Sequence, residues 1–254
     1  MIMKKHLIAA VAALCVFGAT DMMAQRPGGP RHGGNRHHSM YRESGVTLSV
    51  GYLHSNYKHK EWANEHRSKD QGLNGINVGV TKDFTLIRRS LYFQTGLSYE
   101  WQTSNNRYKE SLMTVVRERN EHYLDIPLRL KFTIDVMPEI RAFIYAGPTL
   151  DFGLSSTLKY RARLSDTDLG SYKYNYFTGK SSGSISDLNV EIPGSAYRAF
   201  DVFMGGAIGA EIYDIVEVKL GLDWGLINKN RSKDVADYMV THRNLFHVGI
   251  GIRF

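Results

Sequence analysis

Ten histidines among 254 residues are the first candidates for chemistry, because neutral imidazole is the commonest metal ligand in proteins. His32, His37 and His38 lie in the stretch 26–43, rich in Arg, Gly, Pro and His without apolar period. A glycine-spaced tract of that kind reads as a solvated tail. His54, His59 and His66 stand among Lys, Glu and Asn, the setting of a hydrated loop. Acyl transfer or hydrolysis would need a nucleophile, a base and an orienting group together. His242 and Asp237 fall near one strand end, and Ser104, Ser155, Ser156 and Ser165 near others. No local motif fixes any of these serines beside a base. The sequence therefore nominates no catalytic residue, no cofactor site and no metal site.

The chemistry that recurs is ionic, and it recurs every second residue. Asp125, Arg129 and Lys131 alternate with Leu124, Ile126, Leu128, Leu130 and Phe132, so charge takes one face of a strand and large apolar groups the other. Such a strand suits a sheet with one wet side and one side in lipid.

Seven further segments repeat the pattern. Val46, Leu48, Val50 and Tyr52 form the first apolar face, and Ile76, Val78 and Val80 the second. Leu91, Phe93, Leu97, Tyr99 and Trp101 form the third, and residues 123–132 are the fourth. The fifth runs from Arg141 to Phe152 and the sixth from Tyr197 to Ile212. In the seventh, Val216, Val218, Leu220, Leu222, Trp224 and Leu226 oppose Glu217, Lys219, Gly221, Asp223 and Gly225. The eighth carries Phe246, Val248, Ile250, Ile252 and Phe254 on one face and His247, Gly249, Gly251 and Arg253 on the other. This terminal apolar row reads as the signal by which barrel-assembly machinery would insert the chain.

Connections after segments two, four and six are short, whereas 54–74, 102–120, 154–196 and 228–242 read as long links. Short turns alternating with long loops are the plan of an outer-membrane barrel. Hydrocarbon offers no hydrogen-bond partner, so the sheet must close. The fold expected is all-β, an eight-stranded antiparallel transmembrane β-barrel. At eight strands side chains fill the interior, and unpaired charges there would cost several kcal/mol each. Asp125, Arg129, Lys131, Arg141, Asp151, Asp201, Glu211, Glu217, Lys219, Asp223 and Arg253 are thus expected to form a lumen network of ion pairs, with His247 beside them.

The start of the chain fits export. Lys4 and Lys5 precede an apolar run, Leu7 to Gly18, too short to span a bilayer, and cleavage is expected after Ala24. The organisation read is 1–24 signal peptide, 25–44 disordered periplasmic tail and 45–254 barrel. The only cysteine, Cys15, leaves with the signal, so the mature chain has no thiol or disulfide. Its net charge of +7 drops by one on losing Lys4, Lys5 and Asp21, too mild and scattered to argue for nucleic acid. Mean hydropathy is only −0.32, as expected where half of each strand faces water.

The segment Tyr123 to Phe132, YLDIPLRLKF, resembles the "YLEIPLLLKY" strand of the PorT-like outer-membrane β-barrel family of Bacteroidota. Ala146-Gly147-Pro148 is similar to that family's "GAGP" segment, and Gly221 to Leu226 to its "YNYGL" strand. The resemblance covers residues 45–254 and implies an eight-stranded barrel in the cell outer membrane. Its founding member is tied to a type IX protein-secretion system, a role that membership alone does not carry over. The leading expectation is a non-enzymatic, porin-like barrel, structural or displaying external loops to partners. A type IX secretion accessory is the second reading and a lipid-modifying barrel enzyme the third. A soluble lipocalin-type barrel is the structural rival, with its apolar face turned inward. Outer-membrane lipid, the insertion machinery and other envelope proteins are the partners implied. The link 154–196, far longer than the usual connection of about 4–6 residues, carries Tyr160, Tyr172, Tyr174, Tyr176 and Phe177 among small polar residues, a composition suited to recognition.

Overall fold

Strict alternation with charge on one face suits a sheet whose two faces meet different surroundings. The computed structural model describes residues 45–61, 67–69, 72–110, 113–164, 167–185, 196–233 and 239–254. The signal segment, the tail with His32, His37 and His38, and also His66, Ser165 and Asp237 lie outside the described residues.

The strands in chain order are β1 (Val46–Glu61), β2 (Arg67–Lys69), β3 (Leu73–Ile87), β4 (Leu91–Glu110), β5 (Met113–Met137) and β6 (Ile140–Leu164). They continue with β7 (Thr167–Asn175), β8 (Ser181–Ile185), β9 (Phe200–Ile212), β10 (Val216–Gly225) and β11 (Met239–Arg253). Eight of them form a closed antiparallel ring, β1-β3-β4-β5-β6-β9-β10-β11 and back to β1. Closure runs from Thr47↔Arg253 to Glu61↔Met239, and Val46 and Phe254 exchange backbone hydrogen bonds of 3.2 and 2.8 Å beyond it. No barrel strand is left with an open edge, as a sheet in lipid requires.

One end is made of tight turns at 88–90, 138–139 and 213–215. Tyr213 and Asp214 both have positive φ, 54° and 55°, the pairing of a type I′ turn, whose twist matches the strands it joins. The outer surface carries the apolar faces: Leu130, Ile144 and Ile250 each expose about half their area, and Phe246, Val248, Ile252 and Phe254 are exposed in the same belt. A continuous apolar belt of this kind is lipid-facing surface. The lipocalin-type rival, with its apolar face inward, is excluded by this orientation.

The expected long links need correction. β4 and β5 run on so far that only 111–112 separate them, and 102–120 is almost wholly strand. Likewise β1 reaches Glu61, β11 begins at Met239, and β6 continues to Leu164, where it pairs with β7 and β7 with β8. The sixth segment begins at Phe200 rather than Tyr197, which forms only an isolated bridge with Asn230. The physical reason is a change of solvent. Beyond Trp101 the outward positions of β4 are Thr103, Asn105, Arg107 and Lys109, while on β6 the apolar residues move inside, with Leu158 and Ala162 fully buried. On β6 the polarity inverts past a register shift beside Tyr123, and on β4, β5 and β6 the outward positions turn largely polar because water replaces lipid outside. The upper parts of β4, β5 and β6 with β7 and β8 form a five-stranded blade rising past the belt.

Candidate functional site: the filled lumen and the external blade

Inward positions of the ring place charged side chains opposite one another across a narrow barrel, and they pair in layers. Nearest the tight turns, the Lys131 ammonium contacts Glu211 at 2.6 Å, Glu217 at 2.8 Å and Asp83 at 3.3 Å. Arg253 joins Glu211 at 2.6 Å and Asp83 at 3.4 Å. Arg141 contacts Glu211 at 3.3 Å and Asp135 at 3.2 Å, and Lys219 contacts Glu217 at 3.4 Å. Gln94 donates to the second oxygen of Asp83 at 2.8 Å. Lys131, Asp83, Glu211 and Glu217 are all essentially inaccessible to solvent.

The middle layer is mixed. Arg129 lies 3.6 Å from Asp223 and donates to the Tyr145 hydroxyl at 3.0 Å and to Thr149 at 3.1 Å. The His247 Nδ1 is 3.2 Å from Asp223, and its Nε2 is 3.2 Å from the Tyr145 hydroxyl. Gly221 makes room for that ring, since a Cβ there would run into it. Gly147, at φ +153°, passes so close to the Leu128 carbonyl that only glycine fits. A cavity of about 40 Å³ lies among Asn77, Glu100, Asp125, Arg129, Asp223 and His247, space for a few waters.

Above it, Arg243 is held by Glu100 at 2.7 Å and Asp151 at 3.2 Å, with its guanidinium 3.7 Å from the centre of the Tyr123 ring. Lys229 reaches Asp151 at 3.5 Å and Asp201 at 3.3 Å. Glu100, Asp125 and Asp151 bring carboxylate oxygens within 4.8 Å of one another. Arg243 and Lys229 already sit on two members of that trio, so it does not stand free as a ligand set for a metal.

The mouth is closed by rings. Arg119 lies over Tyr57 at 4.2 Å and Tyr176 at 4.5 Å, and Tyr176 stacks on Tyr197 at 4.6 Å. Glu121 accepts from Ser156 at 2.7 Å and Tyr57 at 2.8 Å and pairs with Arg119 at 2.9 Å. Main-chain bonds from Tyr197 to Tyr176 (2.7 Å) and from Arg198 to Lys229 (2.7 Å) tie the cap across the opening. With every layer filled, the reconstituted protein is expected to give no large, stable conductance in planar bilayers. A persistent open channel would show that the layers part in the membrane.

The lumen residues read from sequence lie inside, and each but Asp125 has an oppositely charged partner among the contacts above, Asp201 and Asp151 through Lys229. Lys131 of β5 reaches β3, β9 and β10 across the barrel. Asp83, Glu100, Arg119, Glu121, Lys229 and Arg243 were missed. The signal was present in the phase: 119 and 121 share the parity of 125, 129 and 131, and 243 that of 247 and 253. Among the suggested nucleophiles, Ser156 is buried as the donor to Glu121, and Ser104 accepts from Asn106. His242 lies on β11 with a Cα partner, Lys58, in β1. His54 bonds Asn74, and His59 bonds Thr241.

A family model described as the outer membrane protein beta-barrel domain matches residues 23–230. No curated protein matches the sequence. Similar solved structures include Ail, the attachment invasion locus protein of Yersinia pestis, at 11% identity and TM-score 0.37, covering 84% of this chain and 100% of that one. Neisserial surface protein A has 11% identity and TM-score 0.36, covering 82% and 97%. The N-terminal β-barrel domain of Pseudomonas aeruginosa OprF has 10% identity and TM-score 0.29, covering 80% and 97%.

Proposed function

Because the chain belongs to the outer membrane protein beta-barrel domain family and resides in the cell outer membrane, we propose that it is a closed, non-enzymatic barrel whose task is to hold the external blade out to partners. One observation carries this reading. Strands β4, β5 and β6 continue well past the lipid belt and add β7 and β8, over a lumen already filled by ion pairs. A barrel that only filled membrane would need none of that extension, and long external elements are where function tends to concentrate.

The test is excision of residues 160–194 behind a short turn. The rungs from Ile140↔Ile212 to Phe152↔Phe200 remain, so the shortened barrel should still be heat-modifiable on gels. Envelope proteins that co-purify with the intact form should be lost. If the shortened form keeps every partner, recognition lies on the opposite end. That outcome would favour the second reading, an accessory of a type IX secretion system, for which the resemblance of Tyr123 to Phe132 to PorT-like barrels is the support.

A further inference from the structure

Cross-strand pairing sets which side chains share the outer face of the blade. Residues directly opposite point the same way, so Arg107, Val116, Arg161 and Ser171 form one row, and Asn105, Glu118, Lys159 and Lys173 the next. Lys109, Thr114, Arg163 and Asp168 form a third. Arg107, Lys109, Arg161, Arg163 and Lys173 are exposed, and Lys159 is partly so. Two bases, Lys159 and Lys173, stand directly opposite each other, an arrangement that destabilises a sheet unless an anion lies between them. The acids on this face are few: among the described side chains, the partly exposed Glu118 reaches the exposed Arg161 at 3.7 Å, a weak contact, and Asp168 accepts from the Gly170 amide.

This face is continuous with the lipid belt. On β4 the exposed ring of Trp101 is followed, at alternate positions, by Thr103, Asn105, Arg107 and Lys109. On β6 Phe152 is followed, past one irregularity, by Thr157, Lys159, Arg161 and Arg163. Arg107 is six residues beyond Trp101, so about 20 Å along the strand and about 15 Å in height at the usual tilt. A plain phospholipid headgroup occupies only about 5–8 Å beyond the hydrocarbon. A phosphate-bearing saccharide headgroup reaches farther.

We infer that the outward face of the blade binds the phosphorylated saccharide headgroups of the outer-leaflet lipid surrounding the barrel, with Arg107, Lys159, Arg161, Arg163 and Lys173 as the contacts. The inference rests on the blade standing outside the membrane, as proposed above, and names what its outer face meets there. Arginine forks suit phosphate oxygens, and an array of bases adds affinity that salt screens.

The experiment titrates the purified full-length barrel with lipopolysaccharide micelles, with dephosphorylated lipopolysaccharide and with a soluble sulfated polysaccharide. The intact protein should bind the phosphorylated lipid with affinity that falls as salt rises. The exposed-site variant R107Q/K159Q/R161Q/R163Q/K173Q should bind about tenfold or more weakly while remaining heat-modifiable, and K159R/K173R should bind as the intact protein does. Equal binding by the neutralised variant, or of the dephosphorylated lipid, overturns the inference. A soluble polysaccharide that binds more tightly than the lipid and displaces it also overturns it, in favour of a free polyanion. Because the neutralised variant keeps the blade, lipid binding that it retains overturns this inference alone, whereas the display reading falls only if excision of 160–194 leaves every partner bound.

Discussion

Lys131→Leu is expected to lower the stability of the folded barrel by about 3–5 kcal/mol, the usual cost of stripping the partner from a buried charge. Lys131 touches Glu211, Glu217 and Asp83 within 3.3 Å, all of them buried. Removing the one ammonium leaves Glu217 with Lys219 alone, at 3.4 Å, and Asp83 and Glu211 dependent on Arg253, with Arg141 also on Glu211. Leucine fills much of the volume but solvates nothing. Arg129→Leu should cost less, because its carboxylate is 3.6 Å away and keeps His247. Urea titrations of both variants folded into lipid would measure the difference. A Lys131→Leu barrel within about 1 kcal/mol of the parent would mean that water reaches these carboxylates, and the filled-lumen description would fall.

The fold was legible where one rule held along the chain. From Val46 to Tyr52 and from Val216 to Gly225 the apolar face is the outer face, and the sequence pattern reads directly as strand. Above the belt β6 exchanges faces at a register shift beside Tyr123, so that Leu158 and Ala162 turn inward while Lys159 and Arg161 turn outward. That shift leaves no mark in the alternation of β6, and on β4 the outward positions beyond Trp101 turn polar, so a reading that equates apolar with outward ends the strand and assigns a loop there. That is why β7, β8 and the upper halves of β4, β5 and β6 were not foreseen; Arg119, although in inward phase with Asp125, fell inside the stretch read as the link 102–120. Pairing across the lumen was hidden for a different reason. Parity says that Lys131 and Glu217 both point inward, but their meeting depends on the stagger between strands that sequence does not encode locally. Asp125 marks the limit: its inward direction was readable, but not that its nearest charged neighbours would be two other carboxylates.

Arg243→Met tests the upper layer in the same terms, and its expected cost is also about 3–5 kcal/mol. The guanidinium is fully buried between Glu100 and Asp151 and lies over the Tyr123 ring, so methionine would forfeit two ion pairs and a cation–π contact. Asp151 would retain Lys229 at 3.5 Å, but Glu100 would keep only the Gln102 amide at 3.1 Å beside Asp125. Most of the loss should therefore come from Glu100, which makes the prediction divisible. Adding Glu100→Gln to Arg243→Met should recover about 1–2 kcal/mol, within the range of coupling between directly contacting residues, since a neutral amide needs no counter-charge. Asp151→Asn in the same background should recover less, because removing that carboxylate strands Lys229 with Asp201 alone. Equal recovery from both would place the cost in lost packing over Tyr123 rather than in charge. Recovery from neither would show that the upper carboxylates share protons or water, and that Arg243 acts by shape.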